Sequence, residues 1–492
     1  MIAISKFSRK SKVLAGAASL ALTGCMGGGE VISAGSPISQ TEAQQGAQAH
    51  PQLLAEFGGA MSGPQADYVV SVGKNVAVQS GLGNARDDFR VTLLNSSVNN
   101  AFAIPGGYVY VTRQLVALMN NEAELAAVLG HEVGHVAARH SALRQQASQQ
   151  NALLGVLGQV LSGVIFGDSS VGRLGQQISS TVPQLATLRY SRGQEIEADD
   201  LGIRYLNGAG YDPRAMSTLL ASLAAQNSLD AQLKGQQNAG APEWASTHPD
   251  PAARVQSALQ KAGAGTGATN RDTFLTRVNG ITYGDDPKQG VIEGNQFIHP
   301  EFRLSFTAPN GYYMVNGASA VSINGQTGQA TMSSASYSGN LDTYVRTVFQ
   351  GLSQQQAVTP QSLQRTTVNG LPVVYGSARV TSGQSQVDVV VYAYEFANNR
   401  AFHFTAIAPA GQGNVFNSMF SSMRRITTQE AAAVTPRRIE VATVRNGDTV
   451  ASLANRMAYT DNRELRFRVL NGLASGQGLT AGQKVKVVVR GS

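Results

Sequence analysis

Cysteine is almost missing from this chain: Cys25 is the only one among 492 residues. A disulfide within one chain is therefore impossible, and cysteine usage leaves no mark of the redox compartment. Charge is scarce too, with Asp, Glu, Lys and Arg at 14%, well below the usual quarter. Nor is there a strong excess of one sign. The formal charge is +7, but Lys6, Arg9, Lys10 and Lys12 lie in a segment expected to be removed, which leaves 34 basic residues against 31 acidic ones. A mature balance near +3 excludes a basic nucleic-acid surface as an organising feature, so no nucleic-acid partner is expected. What is present is enough apolar material for real cores (42% hydrophobic) in a chain too long for one ordinary domain. Two to four domains is the natural expectation.

The N-terminus reads as an export signal. A basic stretch from Lys6 to Lys12 precedes an apolar run from Val13 to Leu22, too short to span a bilayer as a mature helix. The run ends in Leu22-Thr23-Gly24-Cys25, which resembles the lipobox of bacterial lipoproteins. That resemblance implies a signal peptide over 1–24 and a lipid anchor on Cys25, which binds a membrane without spanning it. Met at position 26, rather than Asp, implies the outer membrane by the same resemblance. The plain alternative is a soluble secreted protein. Residues 25–50 are small and polar and read as a flexible tether.

From 51 to 261 the pattern is mainly helical, with one β segment near 90–112. Ala262 to Thr269 reads as a linker. Short alternating strands such as Phe302–Phe306 and Val387–Tyr392, with a helix at Leu341–Leu352, mark 274–430 as an α+β accessory domain. The apolar stretch Leu153–Phe166 reads as a core helix, with a flap or a membrane-facing surface as the alternatives.

The strongest chemical signal is His131-Glu132-Val133-Gly134-His135. Two His at i and i+4 on a helix share a face, so both rings can reach one ion. Zinc takes such donors at about 2.0–2.3 Å and, in catalytic sites, keeps one position open. Glu132 is rotated about 100° from His131. It can face a water whose pKa zinc lowers towards about 7, and act as base and then acid. Asn121 can cap this helix, with Glu124 as box partner, and Leu125, Leu129, Val133 and Val136 supply an apolar side.

A third ligand is needed. Ser191 and Gln194 form a second capping-box pattern, and the helix they open carries Glu195 and Asp199 on one face. One carboxylate can bind zinc and the other can accept the ring N–H of a ligating His. Spacing does not say which does which, and Glu197 competes.

Asn100 to Gly107, Asn121 to Ala126, His131 to His135 with Arg139-His140-Ser141, and Glu195 to Asp199 together resemble one family. It is the gluzincin metallopeptidases of the HtpX, Oma and CAAX-prenyl-protease kind, nearest to their periplasmic, BepA/LoiP-like branch. The resemblance covers roughly 51–260 and implies one Zn2+ per chain, held by His131, His135 and Glu195, with Asp199 behind a ligand. It also implies that Asn100, Ala101, Phe102 and Ala103 form an edge strand on which an extended substrate pairs. The similar periplasmic branch carries a Thr-His-Pro segment like Thr247-His248-Pro249. Such a His would occupy zinc's open position and hold the enzyme latent, contact substrate, or cap a helix. His140, nine residues beyond His131, falls about 180° away round a straight helix and reads as structural. His50, His299 and His403 lie outside any motif.

Residues 439–490, with Gly447-Asp448-Thr449-Val450 and Leu470-Asn471-Gly472-Leu473, resemble a LysM domain. That implies a strand-helix-helix-strand module that binds peptidoglycan. The expected fold class is multidomain: a mainly α-helical zincin-type metallopeptidase domain with a small β-sheet, an α+β middle domain and a small βααβ LysM-like domain. The expected function is a lipid-anchored zinc endopeptidase of the bacterial envelope, facing the periplasm and acting on misfolded or stalled envelope proteins. The alternatives are a chaperone-like outer-membrane assembly factor with a mostly latent site, and a peptidoglycan hydrolase.

Overall fold

The computed structural model describes residues 37–82, 88–141, 190–233, 248–352, 358–382 and 385–491. The expected signal peptide, Cys25 and the stretch Leu153–Phe166 lie outside the described residues.

The first helical region is built around the helix Glu122–Ala137, every residue of which is buried. Asn121 caps it, its side chain accepting from the Glu124 N–H at 2.9 Å. The Glu124 carboxylate accepts from the Asn120 N–H at 2.8 Å, one residue earlier than the expected box. Helices Pro64–Ala77, Arg192–Gly208 and Ala215–Leu233 pack against this central helix. Glycine sets the distance to one of them. A Cβ on Gly134 would stand 3.1 Å from the Ala198 carbonyl oxygen, and one on Gly202 would stand 3.2 Å from the His131 nitrogen. Without side chains at these points the two backbones come close, and that brings the acidic helix within reach of the histidines.

Three short strands lie beside the central helix: β1 (Arg90–Leu94), β2 (Ala101–Ile104) and β3 (Tyr108–Thr112). Their order is β1-β3-β2, with β1 parallel and β2 antiparallel to β3. Among the described residues β2 is therefore an edge.

Two expectations about loose segments need correction. Residues 40–50, placed in a flexible tether, belong to the helix Gln40–Glu56, opened by a full capping box between Ser39 and Glu42. Gly46 of that helix sits so close to Pro105 and Tyr108 that a Cβ would collide with them. The linker 262–269 is pinned as well. Ala262 ends the helix Pro251–Ala262, Ala268 bridges to Tyr211, and the Thr269 carbonyl accepts from the N–H groups of Glu122 and Ala123 at 3.0 and 3.3 Å. A buried helix start has orphan donors, and this loop supplies an acceptor for two of them.

The middle region holds a seven-stranded antiparallel sheet running from Tyr313–Asn316 at one edge to Leu363–Val368 at the other, and a four-stranded sheet. The helix Leu341–Gly351 covers strands 371–382 and 385–397. Residues 274–283, expected in this domain, pack elsewhere. Phe274, Leu275 and Val278 join the core around the helix Glu122–Ala137, and Thr282–Tyr283 pairs with Arg437–Thr443.

The C-terminal module follows the expected order, with Arg437–Thr443, Val450–Ala454, Arg463–Leu470 and Lys484–Arg490, its two strands antiparallel. It shares one core with the helices around Glu122–Ala137. Lys486 is fully buried there, and its ammonium donates to the carbonyls of Ala117, Leu118 and Met119 at 2.8, 2.9 and 2.6 Å. These are acceptors left over at the end of the helix Arg113–Leu118. Three donors require the charged form. Burial pushes the lysine down to about 7, and the Glu124 carboxylate pulls the other way.

Candidate active site

His131 and His135 lie one turn apart on the central helix and aim their Nε2 atoms at the same point, 3.0 Å from each other. Glu195 enters from the acidic helix, its oxygens 3.4 Å from His135 Nε2 and 3.6 Å from His131 Nε2. His248 enters from the loop before Pro251–Ala262, where Asp250 takes a left-handed φ of 55° and Pro251 starts the helix. Its Nδ1 is 3.2 Å from His131 Nε2 and 3.0 Å from Glu195. All four side chains are buried and offer ligand atoms within 4.8 Å of one another, a group able to hold a metal ion.

The arrangement fits a metal on two counts. Four ligands at about 2.0–2.1 Å in tetrahedral array stand roughly 3.3–3.4 Å apart, close to the separations seen. Glu132, meanwhile, is fully buried, and neither carboxylate oxygen has a hydrogen-bond partner among the described residues. His248 Nε2 lies 3.5 Å from one of them. Imidazole and carboxylate donors of this kind suit zinc.

The surroundings orient the ligands. His131 Nδ1 is 3.0 Å from Asp199 Oδ1, so Asp199 accepts from the ring of a ligand candidate and Glu195 faces the centre. Arg254 closes the acidic pair. It donates to Asp199 Oδ2 at 2.7 Å and also to Glu195. Burial alone would raise both carboxyls. Instead His248 and His135 hold Glu195, and His131 and Arg254 hold Asp199, below the ordinary carboxylate range. Glu132 goes the other way: burial raises it, and the nearby His248 and His131 only moderate this. A raised carboxyl is a better proton acceptor at neutral pH.

Glu197 turns away from the centre and meets His140. Asn100 stands just before β2, its N–H donating to Thr112 Oγ1 at 3.2 Å, while Ala101, Phe102 and Ala103 form the strand itself. A pocket runs from Ala103 and Ile104 past Tyr190 to His135.

Sequence reasoning missed three neighbours. Arg254 was visible six residues after His248 without a role, and only the fold shows that it bridges two carboxylates. Tyr190, stacked on His135 at 3.7 Å with 16° between rings, gave no signal beyond standing before the Ser191 cap. His140 does not lie across a straight helix, because the helix stops at Ala137. Its Nδ1 is 2.8 Å from His135 Nδ1.

Residues 64–262 match the family model of peptidase family M48, and residues 442–488 match that of the LysM domain. Over 198 residues the chain is 33% identical to the beta-barrel assembly-enhancing protease of Yersinia pestis, and 31% identical to that of Escherichia coli strain K12. Each match covers 40% of this chain and 38% of the relative. A third relative, the mitochondrial metalloendopeptidase OMA1 of Arabidopsis thaliana, is 34% identical over 135 residues, 27% of this chain and 26% of that one. The chain thus matches well under half the length of each of these relatives. The segment that carries the His131 to His248 cluster is thus similar to peptidase family M48, and the C-terminal module to the LysM domain.

Proposed function

We propose that this chain is a zinc-dependent endopeptidase of the bacterial cell envelope, lipid-anchored at Cys25 to the outer membrane and facing the periplasm. Its substrates on this reading are misfolded or stalled envelope proteins. The observation that carries the chemistry is the convergence of His131, His135 and Glu195 beside a buried Glu132 whose oxygens lack a partner among the described residues. The envelope setting is supported by the lipobox-like segment, by relatives named beta-barrel assembly-enhancing proteases, and by a LysM domain suited to peptidoglycan.

His131, His135 and Glu195 would hold the metal, with Asp199 fixing the ring of His131. Bound there, zinc supplies Lewis acidity that polarises the scissile carbonyl and makes water acidic. Glu132 takes a proton from the attacking water as the new C–O bond forms, then gives it to the amine as the C–N bond breaks. The edge of β2, residues 101–103 with Asn100 before them, aligns an extended substrate by strand addition. His248 Nδ1 stands beside His131 and Glu195, where it would hold the metal as well, so on this reading a substrate enters only once that side chain withdraws.

The position of His248 also favours a second reading, an assembly factor whose proteolytic site is mostly latent. Metal content and casein cleavage of wild type, Glu132→Gln and His248→Ala separate the two. About one zinc per chain with cleavage in wild type, and zinc without cleavage in Glu132→Gln, supports the endopeptidase. Zinc in all three without any cleavage supports the assembly factor. Absence of zinc from wild type overturns both.

A further inference from the structure

The central helix stops at Ala137, and Arg139 takes a left-handed φ of 55°. That conformation is costly for a residue with a side chain and persists only when its surroundings fix it. Here the Arg139 guanidinium donates to the Val136 carbonyl at 2.8 Å and the Pro37 carbonyl at 3.0 Å, and pairs with Glu42 at 3.0 Å. The turn swings His140 back over the helix end. Its ring comes to 5.0 Å from that of His135 at 69°, with the two Nδ1 atoms 2.8 Å apart. The other nitrogen, Nε2, is 3.3 Å from Glu197 Oε2. His140 is buried, while the Glu197 side chain is 59% exposed.

One placement of hydrogens satisfies this chain when His135 Nε2 is a metal ligand. A ligating nitrogen carries no hydrogen, so the hydrogen of the neutral ring sits on Nδ1. It must be donated to His140 Nδ1, which is then an acceptor. The hydrogen of His140 is left on Nε2 and points at Glu197. At His131 the corresponding partner is a carboxylate directly, Asp199 at 3.0 Å. The acidic helix therefore serves three ends. Glu195 faces the centre and Asp199, one turn on, holds His131. Glu197, about 200° round from Glu195, reaches past the end of the central helix to back His135 through His140.

We propose that His140, backed by Glu197, is a positioning residue that fixes the tautomer and ring orientation of His135, the counterpart of Asp199 at His131. This rests on the metal-site reading above. Removing a partner of this kind typically weakens metal binding about 10- to 100-fold.

The test is zinc affinity of the full chain, read by competition with a chromophoric chelator, for wild type, His140→Leu, His140→Asn and Glu197→Ala. Cobalt-substituted spectra of each report ligand geometry independently of turnover. His140→Leu should lose affinity about 10- to 100-fold and shift the cobalt bands. His140→Asn, whose Oδ1 can accept where Nδ1 did, should recover most of the loss. Glu197→Ala should lose severalfold. Wild-type affinity in His140→Leu, or equal losses in the Leu and Asn variants, overturns the proposal and leaves the metal site standing. If His140→Leu does not fold, the soluble Glu197→Ala decides, and wild-type affinity there overturns the proposal. A wild type that binds no zinc overturns the proposal and the metal-site reading together.

Discussion

The peptidase core and the middle domain both bury histidines, and they treat them in opposite ways. His403, under the helix Leu341–Gly351, has a partner for each nitrogen: the Tyr344 hydroxyl at 2.8 Å and the Ser333 hydroxyl at 3.2 Å. His299 accepts from the Phe302 N–H at 3.3 Å and stacks on its ring at 4.0 Å. Burial pushes both rings down to about 4, and His403, as a neutral group, is satisfied by the protein alone. In the peptidase core two Nε2 atoms face each other, and Glu132 has no hydrogen-bond partner among the described residues. Buried polar groups are ordinarily paired. A cluster with more acceptors than hydrogens to share is organised around a guest, whereas a saturated one is organised around itself.

That contrast can be broken at several points. Glu132→Gln should lower peptide hydrolysis by about 10²–10⁴-fold and leave zinc content unchanged; parallel loss of metal would show a structural group instead. Stripping zinc with a chelator should cost the peptidase core about 4 kcal/mol when free zinc had exceeded its dissociation constant about 1,000-fold. Calorimetry should show the transition of the middle domain unmoved, and a common downward shift would refute the division. Acid should reverse the pattern. His403 has a folded-state value of about 4 against about 6.5 unfolded. The unfolded chain therefore binds more protons between these values, and stability falls as pH drops from about 6.5 to about 4. At pH 5 His403 alone accounts for about 2 kcal/mol. Melting of the middle domain at pH 7 and pH 5 checks this, since His403→Gln should shrink the difference and leave the part that His299 contributes. Smallest, His248→Ala should raise casein cleavage about tenfold, a coupling of about 1.4 kcal/mol. Unchanged or lower activity would remove the latency role.

How far the site was legible follows from how local its determinants are. The helix around His131 and the helix opened by Ser191 depend on spacing and caps within a few residues, and both stand where the sequence puts them. The choice between Glu195 and Asp199 was not legible from spacing, because it depends on a close helix crossing that Gly134 and Gly202 permit. His140 was misplaced because its position depends on a left-handed Arg139 held by Glu42 and Pro37, about a hundred residues earlier. The helix at 40–56 carried its own signal in Ser39 and Glu42. The Gly- and Gln-rich composition outweighs that signal, and docking supplies the rest: Gly46 against Pro105 and Tyr108, Leu53 against the strands, and Glu42 against Arg139. Across the linker, the orphan donors of a helix more than a hundred residues away decided the conformation of Thr269.

Lys486 has a bearing on time. Its acceptors at Ala117 to Met119 lie 369 to 367 residues earlier in the chain and just ahead of the Asn121 cap. Polypeptides emerge from the N-terminus, and early parts wait for late ones. The helix bearing His131 and His135 is thus translated long before the strand Lys484–Arg490 that completes its surroundings. Until that strand arrives, three carbonyls and part of the shared core lack their partner. The order of synthesis therefore leaves the surroundings of that helix incomplete until the strand Lys484–Arg490 has been made.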